Sequence, residues 1–176
     1  MSYAGTAPET PATPTVEASS WGRRLGAFII DNLILGIPLG VLMVGRMLGE
    51  MSEAGMFEGE AAPSEDALNT LMADMMGEFM LYGFLGSVVA LLYFVVMHGA
   101  LGRTLGKMAV GIKVIKDDGT PCDFGAAFKR AVVYPIAGGV PYIGGLVTVL
   151  NGLWPLWDEK RQSLGDKLGA TYVVRK

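Results

Sequence analysis

The sequence contains one cysteine, Cys122, and one histidine, His98. A lone cysteine excludes an intrachain disulfide and any thiolate metal cluster built from this chain alone, so a buried, inert thiol is expected. A lone histidine removes zinc sites and Ser-His-Asp triads, which need converging partners, and His98 reads as an interfacial residue at a helix end. No residue set resembles a soluble enzyme's active site, and the expectation is a non-enzyme with no cofactor and no metal. Basic residues are missing where acidic ones crowd. From position 49 to 78 the chain carries Glu50, Glu53, Glu58, Glu60, Glu65, Asp66, Asp74 and Glu78, with no Lys or Arg after Arg46. Large apolar residues are scarce in positions 1–20, where Pro8, Pro11 and Pro14 sit among Ala, Thr, Ser and Glu. That composition predicts a disordered tail.

What is abundant is apolar sequence. With 51% apolar residues and a mean hydropathy of +0.41, the chain holds more than a soluble domain of 176 residues needs for its core. The surplus is gathered into blocks at 25–44, 79–97 and 131–153. Each approaches the roughly 20 residues with which a helix crosses about 30 Å of hydrocarbon. Arg23 and Arg24 before the first block superficially suggest a twin-arginine leader, but Asp31 inside the block and the lack of a small-residue cleavage site favour a retained helix.

Charge segregation sets the expected topology. Arg23 and Arg24 should hold the N-terminus in the cytoplasm, the acidic loop 46–78 should face outward, and the basic loop 99–130 should face inward again. Two spans, at about 25–45 and 79–98, follow. Pro63-Ser64-Glu65-Asp66 makes a helix start, and Leu68, Leu71, Met72, Met75, Met76 and Phe79 recur at three- and four-residue steps from there. In the basic loop, 108–116 alternates as a strand through Val110, Ile112, Val114 and Ile115, with a turn at Asp117-Asp118-Gly119 and a matching strand at 171–175.

The third block, 131–156, is interrupted by Pro135, Gly138, Gly139, Pro141, Gly144 and Gly145. One full crossing would strand Lys160, Arg161, Lys167, Arg175 and Lys176 outside. Two re-entrant half-helices would instead return the tail 157–176 to the cytoplasm and to its partner strand. The fold class expected is therefore an all-α membrane protein: two spans, a broken third segment that is re-entrant or forms a third and fourth span, and a small cytoplasmic strand pair.

Asp31 is the sharpest candidate. An aspartate in mid-span costs about 2.5–3.5 kcal/mol on insertion scales, so it requires a partner or a proton. Arg24 lies seven residues earlier on the same helix face, roughly 10 Å along the axis, and Arg103, Lys107 and Arg130 are alternative partners. The plain reading is a buried ion pair that fixes helix docking; the sharper one is a proton or cation site. Gly36 and Gly40 flank Pro38 at the spacing of close helix approach. The stretch Gly102-Arg103-Thr104-Leu105-Gly106-Lys107-Met108 superficially suggests a phosphate loop. It is too short, lacks Ser or Thr after the lysine and does not join a strand to a helix. Met47, Met51, Met56, Met72, Met75, Met76 and Met80 are soft enough for copper(I), but methionines are first of all packing residues.

Three stretches in order resemble the RDD family of bacterial membrane proteins, named for one arginine and two aspartates. They are Trp21-Gly22-Arg23-Arg24-Leu25-Gly26-Ala27-Phe28-Ile29-Ile30-Asp31, the Gly102–Lys107 stretch with its strand and Asp-Gly turn, and the residues from Trp157 to Thr171. The resemblance covers positions 20–176. It implies that Arg24 is the family arginine, Asp31 the first aspartate and Asp166 the second, with Asp158 a weaker choice. It also implies transport for some members, including cation/proton antiport. Residues and resemblance together predict an accessory or assembly subunit of a larger complex in a bacterial inner membrane, in contact with the bilayer and other integral subunits and not with nucleic acid. The alternative is a small cation/proton or solute transporter using Asp31, which two or three membrane elements could support only as a homo-oligomer.

Overall fold

The computed structural model describes residues 17–57, 64–133 and 143–176. Two long helices dominate it. Helix α1 spans Trp21–Glu53 and α2 spans Glu65–Leu101. At 1.5 Å per residue they run about 50 and 55 Å, beyond the thickness of a hydrocarbon core. α2 starts where Ser64 accepts a hydrogen bond from the Ala67 N–H, with Glu65 and Asp66 in its first turn. It ends at Gly102, whose φ of 66° lets its N–H close on the His98 carbonyl at 2.9 Å.

The helices are antiparallel neighbours. Asp31 meets Tyr93, Leu39 meets Gly86, and Arg46 meets Glu78 at 2.7 Å, so contacts that climb α1 descend α2. Within the most apolar stretch of each helix only 11% of residues are buried by the chain itself. Ile29, Leu33, Ile37 and Val41 on α1, and Phe84, Val89, Leu92 and Val96 on α2, are all exposed. Such surfaces suit lipid and are unsuited to water. Among the described residues, α1 and α2 are the two helices long and apolar enough to cross a membrane.

The rest of the chain builds a small cap at the end where α1 starts and α2 stops. In order come α3 (Leu105–Ala109), β1 (Ile112–Lys116), α4 (Phe124–Ala131), α5 (Ile143–Leu153), a 3-10 turn (Trp154–Leu156), α6 (Leu164–Leu168) and β2 (Thr171–Arg175). β1 and β2 pair antiparallel, from Ile112 opposite Arg175 to Lys116 opposite Thr171. Ala27, Ile112, Val114, Cys122, Ala126, Ala127 and Val173 form the core, so the single cysteine is a buried packing residue.

Three sequence expectations change. The loop expected at 46–78 is mostly helix, because nothing between Arg46 and Glu53 breaks the hydrogen-bond ladder until Gly55 at φ 72°. The strand expected from 108 begins at Ile112, because Thr104 caps a helical turn over Leu105–Ala109. Of the tail expected at 1–20, residues 1–16 lie outside the described residues. Ser19 is fully buried and donates its N–H to the Val173 carbonyl at 2.9 Å, so the chain just before α1 is an extra edge on β2.

The expected break at Gly138 to Pro141 also lies outside the described residues. The described part of the third block, α5, has 11 residues, about 16 Å, which is shorter than a hydrocarbon core is thick. Because β2 pairs with β1, which follows α2 after the short α3, the chain from α4 to β2 leaves and returns at the same end of the hairpin. In a Cys122→Ser background, cysteines placed singly at Arg23 and Lys176 should therefore label from one membrane face, and one at Glu53 from the other. Opposite labelling of positions 23 and 176 would contradict this return.

Candidate functional site

Two carboxyl groups, on Asp31 and Asp166, are 1% and 0% exposed at the junction of the hairpin and its cap. Asp31 lies on the third turn of α1 and faces α3. It accepts three hydrogen bonds: from the Tyr93 hydroxyl at 2.7 Å, the Thr104 hydroxyl at 2.6 Å and the Gly106 N–H at 2.8 Å. Tyr93 in turn accepts the Leu105 N–H at 3.0 Å. The local sequence makes this arrangement. Left-handed Gly102 turns the chain sharply out of α2, Thr104 caps α3, and the Gly106 N–H in the first turn of α3 then points at the carboxyl. Gly106 is needed for lack of a side chain: a Cβ there would collide with the Ala27 carbonyl oxygen and come within 2.9 Å of the Asp31 carboxyl.

Asp166 is held by charge. The Arg24 guanidinium donates to its Oδ2 at 2.6 Å, and Arg130 lies 2.8 Å from its Oδ1. Ser163 and Asp166 also form a reciprocal cap on α6, each side chain accepting the other's backbone N–H at 3.1 Å. Gly165 and Gly169 let α6 lie against α4, since a Cβ at either would meet the Arg130 or Ala126 carbonyl oxygen under 3 Å. Arg24 reaches on to the Val173 carbonyl and Arg130 to the Thr171 hydroxyl, so one carboxylate gathers α1, α4, α6 and β2. Burial pushes the Asp166 carboxyl up, but Arg130, Arg24 and the Ser163 N–H outweigh it and hold the group below the ordinary aspartate value.

Between the two carboxyls sits Lys107. Its ammonium lies 3.1 Å from the His98 Nε2, while His98 Nδ1 faces the Phe94 carbonyl at 2.8 Å and so carries the ring proton. Burial and then the neighbouring Arg130 push Lys107 down to about 7, with Asp31 and Asp166 offsetting only part of the fall.

The candidate residues therefore sort differently from the sequence expectation. Arg24 turns away from Asp31 to Asp166, and none of Arg24, Arg103, Lys107 and Arg130 donates a hydrogen bond to Asp31. The physical reason is that α3 already brings three neutral donors to Asp31, whereas Asp166 has two guanidiniums within reach. Asp158 makes a local contact instead, with Lys167 at 2.5 Å and the Gln162 N–H at 2.8 Å. A Cβ at Gly36 or Gly40 meets nothing within 4 Å, so neither brings α1 close to α2; Gly86, against Leu39, does. Among the described residues no three His, Cys, Asp or Glu side chains converge on a metal-sized site. Tyr93, Thr104, Gly106 and Ser163 were missed as site residues. The spacing of Ser163 and Asp166 is a capping-box signal that was there to read; nothing in α2 marks Tyr93.

The family model for the RDD family matches residues 18–170. The chain belongs to the RDD family. RDD proteins are membrane proteins, in keeping with two helices apolar enough to span. The chain is 28% identical to the proline-rich antigen of Mycobacterium leprae over 95% of its own length and 65% of that protein's. It is 27% identical to the proline-rich antigen homolog of Mycobacterium tuberculosis, over 92% and 65% of the two lengths. A Bacillus subtilis protein, YxaI, is 24% identical over 90% of this chain and 97% of its own. The chain thus spans under two thirds of the length of the mycobacterial relatives. No solved structure matches it. The matched span contains Arg24, Asp31, Asp158 and Asp166.

Two outcomes test this geometry. Gly106→Ala should destabilise the detergent-solubilised protein by about 1–3 kcal/mol through overpacking, whereas Gly36→Ala, with open space around it, should be neutral or slightly stabilising. Equal melting temperatures for the two variants would contradict the close approach. Because the folded Asp166 value is depressed, its contribution is complete above about pH 4, its unfolded value, and lost as pH falls through the folded one. The melting temperature should fall on acidification below pH 4 by several degrees more in the wild type than in Asp166→Asn.

Proposed function

We propose that this RDD protein is a non-catalytic accessory or assembly subunit of a larger complex in the bacterial cytoplasmic membrane. The observation that carries this reading is the contrast between its two parts. Both buried carboxyls are satisfied within the chain, Asp31 by three donors and Asp166 by two guanidiniums, while the apolar helices leave most of their residues open to something outside the chain. Gly36 on that outer surface, with Gly40 one turn on, suits the close approach of a further helix. Orientation follows charge. Arg23, Arg24, Arg103, Lys107, Lys113 and Arg130 cluster at the cap, and Glu50, Glu53, Glu65, Asp66, Asp74 and Glu78 at the far end, so the cap and the start of α1 belong in the cytoplasm.

A transporter that loads a proton or cation on Asp31 fits less well. A carrier group has to exchange its cargo with water, and the donors around Asp31 come from backbone and side chains that also hold α3 in place. Two helices also enclose no route across a bilayer unless several copies assemble.

Purification on a C-terminal tag in mild detergent tests the proposal. A second integral membrane protein should co-elute at fixed stoichiometry through size exclusion. Elution of the chain alone, as a monomer or homo-oligomer, would count decisively against an accessory role.

A further inference from the structure

A cavity of about 300 Å³ opens beside the buried junction, between the first turns of α1, the body of α5 and the cluster around Asp166. Its floor presents three cations, Arg24, Lys107 and Arg130, and two carboxyls, Asp31 and Asp166. The pairing leaves Lys107 without a carboxylate partner among the described residues. Asp166 is shared by both arginines, Asp31 draws its hydrogen bonds from neutral groups, and Lys107 leans on a neutral imidazole. The Arg24 Nε is buried and has no acceptor among the described residues. A buried donor without a partner costs about 1–3 kcal/mol, and an unbalanced buried cation costs more.

The walls have the opposite character. Leu25 and Phe28 on α1 and Val149 and Leu153 on α5 line the cavity. Leu25 and Phe28 are each 38% exposed and lead directly into Ile29 and Leu33 on the outer surface of α1. Trp21 sits at the rim, its indole N–H on the Gly152 carbonyl at 2.9 Å, and Trp154 and Trp157 lie exposed just beyond α5. Tryptophans of this kind mark the level of the lipid headgroups.

We infer that this cavity binds one anionic phospholipid, its phosphate seated on Arg24, Lys107 and Arg130 and an acyl chain lying along Leu25, Phe28 and Val149. A phosphodiester supplies the negative charge that Lys107 lacks among its own contacts, and its oxygens can accept from the three basic side chains that line the cavity. A bare ion would leave the apolar wall uncovered. A zwitterionic lipid would bring a second cation to a floor already rich in them.

The test uses the full chain in neutral detergent and counts lipids retained by native mass spectrometry, with phosphatidylglycerol and phosphatidylcholine of identical chains offered in turn. One phosphatidylglycerol per chain should be retained, with at least about a tenfold preference, which is about 1.4 kcal/mol. Lys107→Gln should bring the preference close to unity. Val149→Trp fills the wall without touching the charges and should lower retention of phosphatidylglycerol about tenfold. A large excess of inorganic phosphate should displace little of it. Equal retention of the two lipids by the wild type overturns the inference, as does displacement by inorganic phosphate, wild-type selectivity in folded Lys107→Gln or wild-type retention of phosphatidylglycerol in Val149→Trp. If Lys107→Gln fails to fold, the wild-type preference and Val149→Trp decide.

Discussion

A carboxyl group shut off from water has to receive hydrogen bonds or a cation, and this chain buries two of them within one small junction. The cap is arranged around how each is satisfied. Asp31 draws the start of α3 against α1, which places β1 directly after it. Asp166 draws Arg24 of α1 and Arg130 of α4 onto α6, which delivers β2 to the edge of β1. The strand pair is thus secured from both sides, by a neutral contact on one and an ionic contact on the other. Glycine makes both approaches feasible, at 106 for the first and at 165 and 169 for the second.

The contrast between the two ends of the hairpin follows from the same constraint. At the far end α1 and α2 are joined by an exposed Arg46–Glu78 pair, of a kind that contributes little to stability. Through the membrane they touch at few points, notably Gly86 against Leu39. Most of the folding information for the chain therefore sits in the cap, and the spans rely on lipid or on neighbouring helices for the rest. Within the cap, an apolar-walled cavity lies next to Arg24, Lys107 and Arg130.

Much of this architecture was legible in the sequence, for identifiable reasons. The two long helices follow from apolar run length, the return of the chain follows from where Lys and Arg reappear, and the strand partners follow from β-branched alternation at 112–116 and 171–175. The start of α2 at Ser64 is a capping signal that survives intact. The helical extension of α1 past 45 was harder to see, because polar residues do not stop a helix whose backbone has no breaker. The pairing of Arg24 was read along one helix, where Asp31 is the nearest carboxyl; Asp166 is 142 positions away and only the tertiary fold brings it close. The contribution of the Gly102–Lys107 stretch, a hydroxyl and an amide to Asp31, was not legible, because it depends on a chain reversal that one glycine makes.

The central claim is that Arg24 acts on Asp166 and Asp31 is satisfied without it. Double-mutant cycles on the unfolding free energy in detergent measure this directly, using Arg24→Met with Asp166→Leu and Arg24→Met with Asp31→Leu. The account predicts a coupling of about 2–3 kcal/mol for Arg24 with Asp166 and less than about 0.5 kcal/mol for Arg24 with Asp31. A coupling to Asp31 as large as that to Asp166 would contradict it.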